Sequence, residues 1–222
     1  MSIQDQGSFR LPEPSRAERD IPMASGGHCT AHTVIGDDHG VRVQAESWLE
    51  LRVIHILAAK PEVADLREQV RFHYGWNPKK LREHIFDALV TTRDGRTIAC
   101  AIKPAKKARS ETFQATMREV AWWVRETGFA DEVRQITDAD FSQVEQDNAM
   151  ALAAVAGADP EADEVAVRIV SGLSGIRSLR DLTKETGMEA RGYRALIRLI
   201  RKGLIALVSY EPIGPDAVIR RT

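Results

Sequence analysis

"HIFDALVTTRDGRTIACAIKP", His84 to Pro104, decides the fold. Two runs rich in strand-forming residues flank "RDG" at Arg93 to Gly95, the composition of a tight turn, so the stretch predicts an antiparallel hairpin. The first strand carries Asp87 in an apolar setting, and the second ends on Lys103. A carboxylate among strand-forming apolar residues must find a partner or a metal, because burying it alone is expensive. Paired strands run about 5 Å apart, which brings such an acid and such a lysine together. Metal-dependent phosphodiester hydrolysis needs this chemistry: carboxylates hold a hard divalent cation, the cation activates water, and a lysine orients that water or stabilises the transition state. The full pattern is an acid on one strand and acid-x-Lys on the next. Asp87 fills the first place and Ala101-Ile102-Lys103 the second, so alanine removes one ligand.

Outward from the hairpin, "QAESWLELRVIHILAA" repeats Trp48, Leu49, Val53, Ile56 and Leu57 at helical spacing, and Pro61 closes the run. "REQVRFHYGW" reads as a strand. "SETFQATMREVAWWVRETG" reads as a helix stopped by Gly128, and "EVRQITDADF" as a strand leading into a capped helix. The order helix, strand, hairpin, helix, strand predicts an α/β core, a mixed sheet flanked by helices, over residues 43–141. Residues 1–42, rich in Pro, Gly, Ser and charge, predict an arm that is flexible or ordered only against a partner. An acidic helix and linker follow over 142–162, then a second unit over 163–222.

In the second unit Ser178 is a good N-cap for "LRDLTKET", Gly187 ends that helix, and "EARGYRALIRLIRKG" makes another that ends at Gly203. "LIALVSY" and "AVIRRT" around "EPIGPD" predict a terminal hairpin, and with the helix "DEVAVRIVSGL" in front, three helices and a β-wing give a winged helix-turn-helix. Tyr193, Leu196, Ile197, Ile200 and Leu204 form the expected inward stripe. Arg191, Arg194, Arg198 and Arg201 fall on another face, where they would contact DNA phosphates or dock a protein partner. Weak, salt-sensitive DNA binding by this unit is the expectation.

The net charge of -1 hides an asymmetry: residues 130–165 hold ten acids and one base, and residues 177–222 hold ten bases and five acids. An anionic partner is therefore sought at the tail. No apolar run is long enough to span a bilayer and no signal-peptide pattern opens the chain, which predicts a cytoplasmic protein with no membrane contact. Cys29 and Cys100 are too few for a disulfide framework. His28, Cys29, His32 and His39 lie close in sequence, but their spacing fits no common zinc finger. Gln69 reads as a plain strand residue as readily as a further polar group of the site.

"AESWLELRVIHIL", "REQVRF", "HIFDALVTTRDG", "ACAIKP" and "EVRQITDADF", in this order and spacing, resemble the nuclease domain of TnsA, the endonuclease subunit of heteromeric transposases. The resemblance covers roughly residues 44–141. It implies a PD-(D/E)xK restriction-endonuclease-like fold and a C-terminal winged-helix domain. It also implies a catalytic set of Glu50, Asp87 and Lys103, with Glu50 and Asp87 holding Mg²⁺ or Mn²⁺. Glu46, one turn before Glu50, stands as the alternative helix acid. Phe86 occupies the place of the family's proline before the aspartate. The implied partners are double-stranded DNA, a DDE-type transposase subunit and an AAA+ ATPase regulator. The alternative is an inactive relative that keeps the fold for DNA binding or assembly after losing its chemistry.

Overall fold

The computed structural model describes residues 11–21, 30–37 and 39–222. β1 (Ala31–Ile35) and β2 (Val41–Ala45) pair antiparallel, from Ala31 opposite Ala45 to Ile35 opposite Val41. The described part of the arm expected over residues 1–42 lies on the core, where Ile35 of β1 is buried with Val43 and Ala45 of β2. Gly40 closes this hairpin at φ 59°, where a Cβ would lie 2.5 Å from the Ile35 carbonyl oxygen. Residues 11–21 also lie on the core: Glu13 bridges Val41, the Glu18 N–H donates to the Gln69 carbonyl at 3.1 Å, and Ile21 is buried.

α1 (Trp48–Ala58) starts at Ser47, whose hydroxyl accepts the Glu50 N–H. β3 (Val63–Tyr74), β4 (Arg82–Thr92) and β5 (Thr97–Ile102) follow, then α2 (Ala105–Ala108), α3 (Glu111–Thr127) and β6 (Glu132–Ile136). The sheet order is β3-β4-β5-β6, antiparallel except for the β5–β6 pair, so the core is a mixed four-stranded sheet. Leu51, Val53, Ile54 and Leu57 of α1 cluster with Leu66, Ala88, Val90, Ile98, Cys100 and Ile136. Met117, Val120 and Val124 of α3 cluster with Phe72, Tyr74, Phe86, Ala99 and Ala101. Helices therefore flank the sheet on both faces. Gly128 ends α3 in the left-handed region at φ 65°, as its position after the last apolar residue predicts.

Side chains alternate between faces along a strand, so residues two apart share one. On β3, however, Leu66 joins the α1 cluster while Phe72 and Tyr74 join the α3 cluster. On β4 the exchange falls between Ala88 and Phe86. Both strands change faces at one place, Gln69 on β3 and Asp87 on β4. Paired rungs surround this place, Glu68 with Ala88 and Val70 with Phe86, and Gln69 takes φ 51°.

α4 (Gln143–Ala153) begins with a capping box between Ser142 and Glu145. α4 falls within the stretch 142–162, expected as an acidic helix and linker, and is bonded to both neighbouring units. Arg52 of α1 donates to Gln146 at 2.9 Å, and the Asn148 side chain takes the Ile213 N–H at 2.7 Å and donates to the Glu211 carbonyl at 3.0 Å. The remaining elements are α5 (Pro160–Ser171), β7 (Ile176–Ser178), α6 (Leu179–Thr186), α7 (Glu189–Arg201), β8 (Ile205–Leu207) and β9 (Val218–Arg221). β9 pairs antiparallel with both β7 and β8. Ser178 caps α6 and Gly187 ends it. On α7 the buried residues are Gly192, Ala195, Leu196, Ile197, Arg198 and Leu199, whereas Leu204, expected inward, is 46% exposed. Gly192 lets α6 approach, since a Cβ there would meet the Thr186 hydroxyl. No helix among the described residues is long and apolar enough to cross a membrane.

Candidate active site in a split sheet

The ladder between β4 and β5 runs from Thr91 opposite Thr97 to Ala88 opposite Cys100 and stops there. Beyond it β5 stays with β6, Ile102 opposite Ile136, while β4 stays with β3. The strands part at Asp87. Its carboxylate fills the gap, with Oδ2 accepting the Ile102 N–H at 2.6 Å. The Lys103 Nζ lies 3.3 and 3.2 Å from the two carboxylate oxygens. Asp87 is 5% exposed. Acid and lysine therefore meet, as the hairpin predicts.

Glu50 faces the same opening from the first turn of α1 and is 6% exposed. Its Oε1 accepts from the Ser47 hydroxyl at 3.1 Å and its Oε2 from the Glu46 N–H at 2.8 Å. Burial, then the nearby Asp87 charge, raises the Glu50 carboxyl above its ordinary range. Burial also raises Asp87, against the lowering influence of Lys103 and the Ile102 N–H, and the Glu46 charge adds to the rise. Two buried carboxylates and a lysine thus act on one another where β4 and β5 part. Glu46 is no mere alternative to Glu50, since both acids approach Asp87. Glu46 itself is held by the Arg19 guanidinium at 2.5 Å. Glu50 also has a structural duty: Ser47 and Glu50 stand at capping-box spacing, a signal visible in "SWLE".

Ala101 is 2% exposed and belongs to the apolar cluster beneath α3. Glu50 and Asp87 are the donors suited to a hard cation here, and Mg²⁺ often takes one or two carboxylates plus substrate phosphates. Among the described residues no group of three or more His, Cys, Asp and Glu forms a metal cluster. His28 and Cys29 lie outside the described residues, and His39 sits 3.3 Å from Glu13. The Cys100 thiol is buried and pushed up to about 12, chiefly by desolvation, so it is no nucleophile.

His84 borders the site, its ring edge-on to Phe86. Burial, then the Lys103 charge, lowers it to about 4 from an ordinary 6.5. The unfolded chain binds the extra proton between those values, so this group makes stability rise with pH over that window and lose the gain as pH falls through it. Glu50 and Asp87, raised on folding, act in the opposite sense above the ordinary carboxylate range. We expect His84→Asn to flatten the rise in urea midpoint between about pH 4 and pH 6.5 relative to the unaltered chain.

The arginine stripe of α7 is mostly committed inside the chain. Arg191 pairs with Asp159 at 2.8 Å and Glu161 at 2.7 Å. Arg198 is 5% exposed and bonds Asp163 at 2.6 Å. Arg201 donates to the Leu152 carbonyl at 3.2 Å and the Gly36 carbonyl at 2.9 Å. Arg198 therefore cannot contact DNA or a docking partner, because it closes the seam between α7 and α5. Asp159, Glu161 and Asp163 of the acidic stretch thus neutralise Arg191 and Arg198 of the basic one. Arg194 alone of the four arginines is exposed with no partner among the described residues, and further exposed positive charge lies beside the candidate site, at Lys106, Lys107 and Arg109 shortly after Lys103. No protein-family model and no curated protein matches the chain.

Proposed function

We propose that the chain is a metal-dependent DNA endonuclease subunit that hydrolyses phosphodiester bonds at the opening between β4 and β5. The observation that carries this reading is the convergence of Glu50, Asp87 and Lys103 where the sheet splits. Burial is the main cause that raises both carboxyls, and a divalent cation would supply the counter-charge that desolvated carboxylates lack. Bound there, Mg²⁺ or Mn²⁺ would supply an activated water and charge neutralisation at the phosphate. Glu50 and Asp87 would hold it. Lys103, no longer the sole counter-charge of Asp87, would turn an Nζ donor towards the attacked phosphate.

Lys106, Lys107 and Arg109 offer an approach path for the DNA backbone, each contact releasing counterions. The mixed sheet with flanking helices is compatible with a restriction-endonuclease-like core, and α5, α6 and α7 with β8 and β9 with a winged helix. A role as a TnsA-like subunit beside a DDE-type transposase and an AAA+ ATPase is part of the same proposal and rests on the motif order described above. The test is nicking of supercoiled plasmid with Mn²⁺, together with duplex binding by anisotropy across a salt series. Lys106→Ala with Lys107→Ala should reduce the salt slope by about two units, while Arg191→Ala should leave it unchanged. A slope that follows Arg191 instead would move the DNA path to α7.

One observation favours a second reading, an inactive assembly protein with this fold. Every oxygen of Glu50 and Asp87 already has a partner within the chain, and Ala101 adds no ligand. Absence of both Mn²⁺ binding and nicking, with partners supplied, selects it.

A further inference from the structure

Gln69 breaks three habits of a strand residue at once. It is polar yet 1% exposed, it takes φ 51° in the middle of β3, and it stands opposite Asp87 at a rung that neither strand pairs. A positive φ is costly for a residue with a side chain, and such conformations concentrate where a site over-determines the backbone. The same break in alternation turns neighbouring side chains towards one segment: Ser15 bonds Glu68 at 2.5 Å and Arg19 bonds Gln69.

The hydrogen bonds fix which end of the amide faces where. Arg19 donates from Nε at 3.1 Å and from Nη2 at 2.5 Å to Gln69 Oε1. A guanidinium only donates, so the oxygen must face Arg19. The buried Nε2 is left with no acceptor. Arg19 also holds Glu46, whose N–H donates to Glu50. Gln69 is thereby tied, through two links, to the carboxylate that faces Asp87.

We propose that Gln69 is a working member of the Asp87 site, held by Arg19 so that its Nε2–H donates to an oxygen bound beside Asp87. That oxygen belongs to water on the cation or to the substrate phosphate. The inference rests on reading Asp87 as the centre of the site.

The test uses the full chain and two variants. Gln69→Gly removes the amide, and relief of the positive φ offsets part of the cost of emptying a buried position, so a thermal melt first confirms that the variant is folded at the assay temperature. Mn²⁺ affinity in that variant should fall about tenfold if the oxygen is metal-bound water. If the oxygen is a phosphate's, Mn²⁺ affinity should hold and affinity for a short duplex in Ca²⁺ should fall about tenfold. Arg19→Ala, which frees the amide without removing it, should give a smaller loss. Both affinities staying within about twofold of the unaltered chain in Gln69→Gly would overturn the proposal. A second arm needs no metal: in Gln69→Glu a new carboxylate opposite Asp87 should raise the Asp87 titration midpoint followed by carboxyl ¹³C NMR. An unmoved midpoint shows that Gln69 does not face Asp87 and also overturns it. If the unaltered chain takes up no Mn²⁺, the metal reading falls, and the NMR arm alone decides on Gln69.

Discussion

Asp87→Asn should abolish Mn²⁺ binding while leaving the chain about as stable as before. The amide keeps an oxygen for the Ile102 N–H, which Asp87 accepts at 2.6 Å, so that donor stays satisfied, and the new NH2 turns towards the Glu50 side of the site. It also removes the charge that raises Glu50, and with it a repulsion inside a buried pocket. A carboxylate kept in such a place at a cost to stability is the usual mark of function. Loss of affinity should be roughly 100-fold or more, since second-shell changes alone cost 10–100-fold. Titration calorimetry with Mn²⁺ and a thermal melt on the same sample read both quantities. Asp87→Ala makes a useful contrast, because it strands the Ile102 N–H and should cost about 1–3 kcal/mol as well. If Asp87→Asn instead binds Mn²⁺ normally, the acid is a structural plug for the split between β4 and β5.

The sequence made the hairpin, the caps and the pairing of Asp87 with Lys103 legible, because each depends on local chemistry. "RDG" dictates its turn, Ser178 and Gly187 bound α6, and two adjacent strands must bring acid and lysine together. The parting of β4 and β5 was not legible. It depends on β6 holding Ile102 from the other side, a contact more than thirty residues away in sequence. Nor was the face exchange at Gln69, since nothing in "REQVRF" announces a positive φ at a glutamine. The strand over residues 31–35 is not legible because five residues in polar surroundings give too short a pattern. For the α7 stripe, helical periodicity puts Arg198 on an outer face, whereas the structure buries it against Asp163, and periodicity carries no information about partners on other elements.

Those partners give the other large expected effect. Arg198 Nε meets Asp163 Oδ1 at 2.6 Å with the two side chains only 6% and 16% exposed, and one Arg198 terminal nitrogen has no partner. Removing one member of a buried pair leaves the other charge desolvated, which costs about 3–5 kcal/mol, while replacing both with apolar residues is often neutral. Asp163→Ala should therefore destabilise the α5–α7 seam by that amount, and Asp163→Leu with Arg198→Met should recover most of it. Hydrogen exchange at the amides of α5 and α7 measures the loss in the intact chain, separately from the core. Duplex binding measured on the double variant then separates structure from recognition. Unchanged affinity is expected, because Arg198 is 5% exposed and its unpartnered terminal nitrogen is itself buried, out of a phosphate's reach. A drop in affinity with the seam intact would mean that Arg198 leaves Asp163 when DNA arrives, and α7 would then be a switchable contact instead of a closed seam.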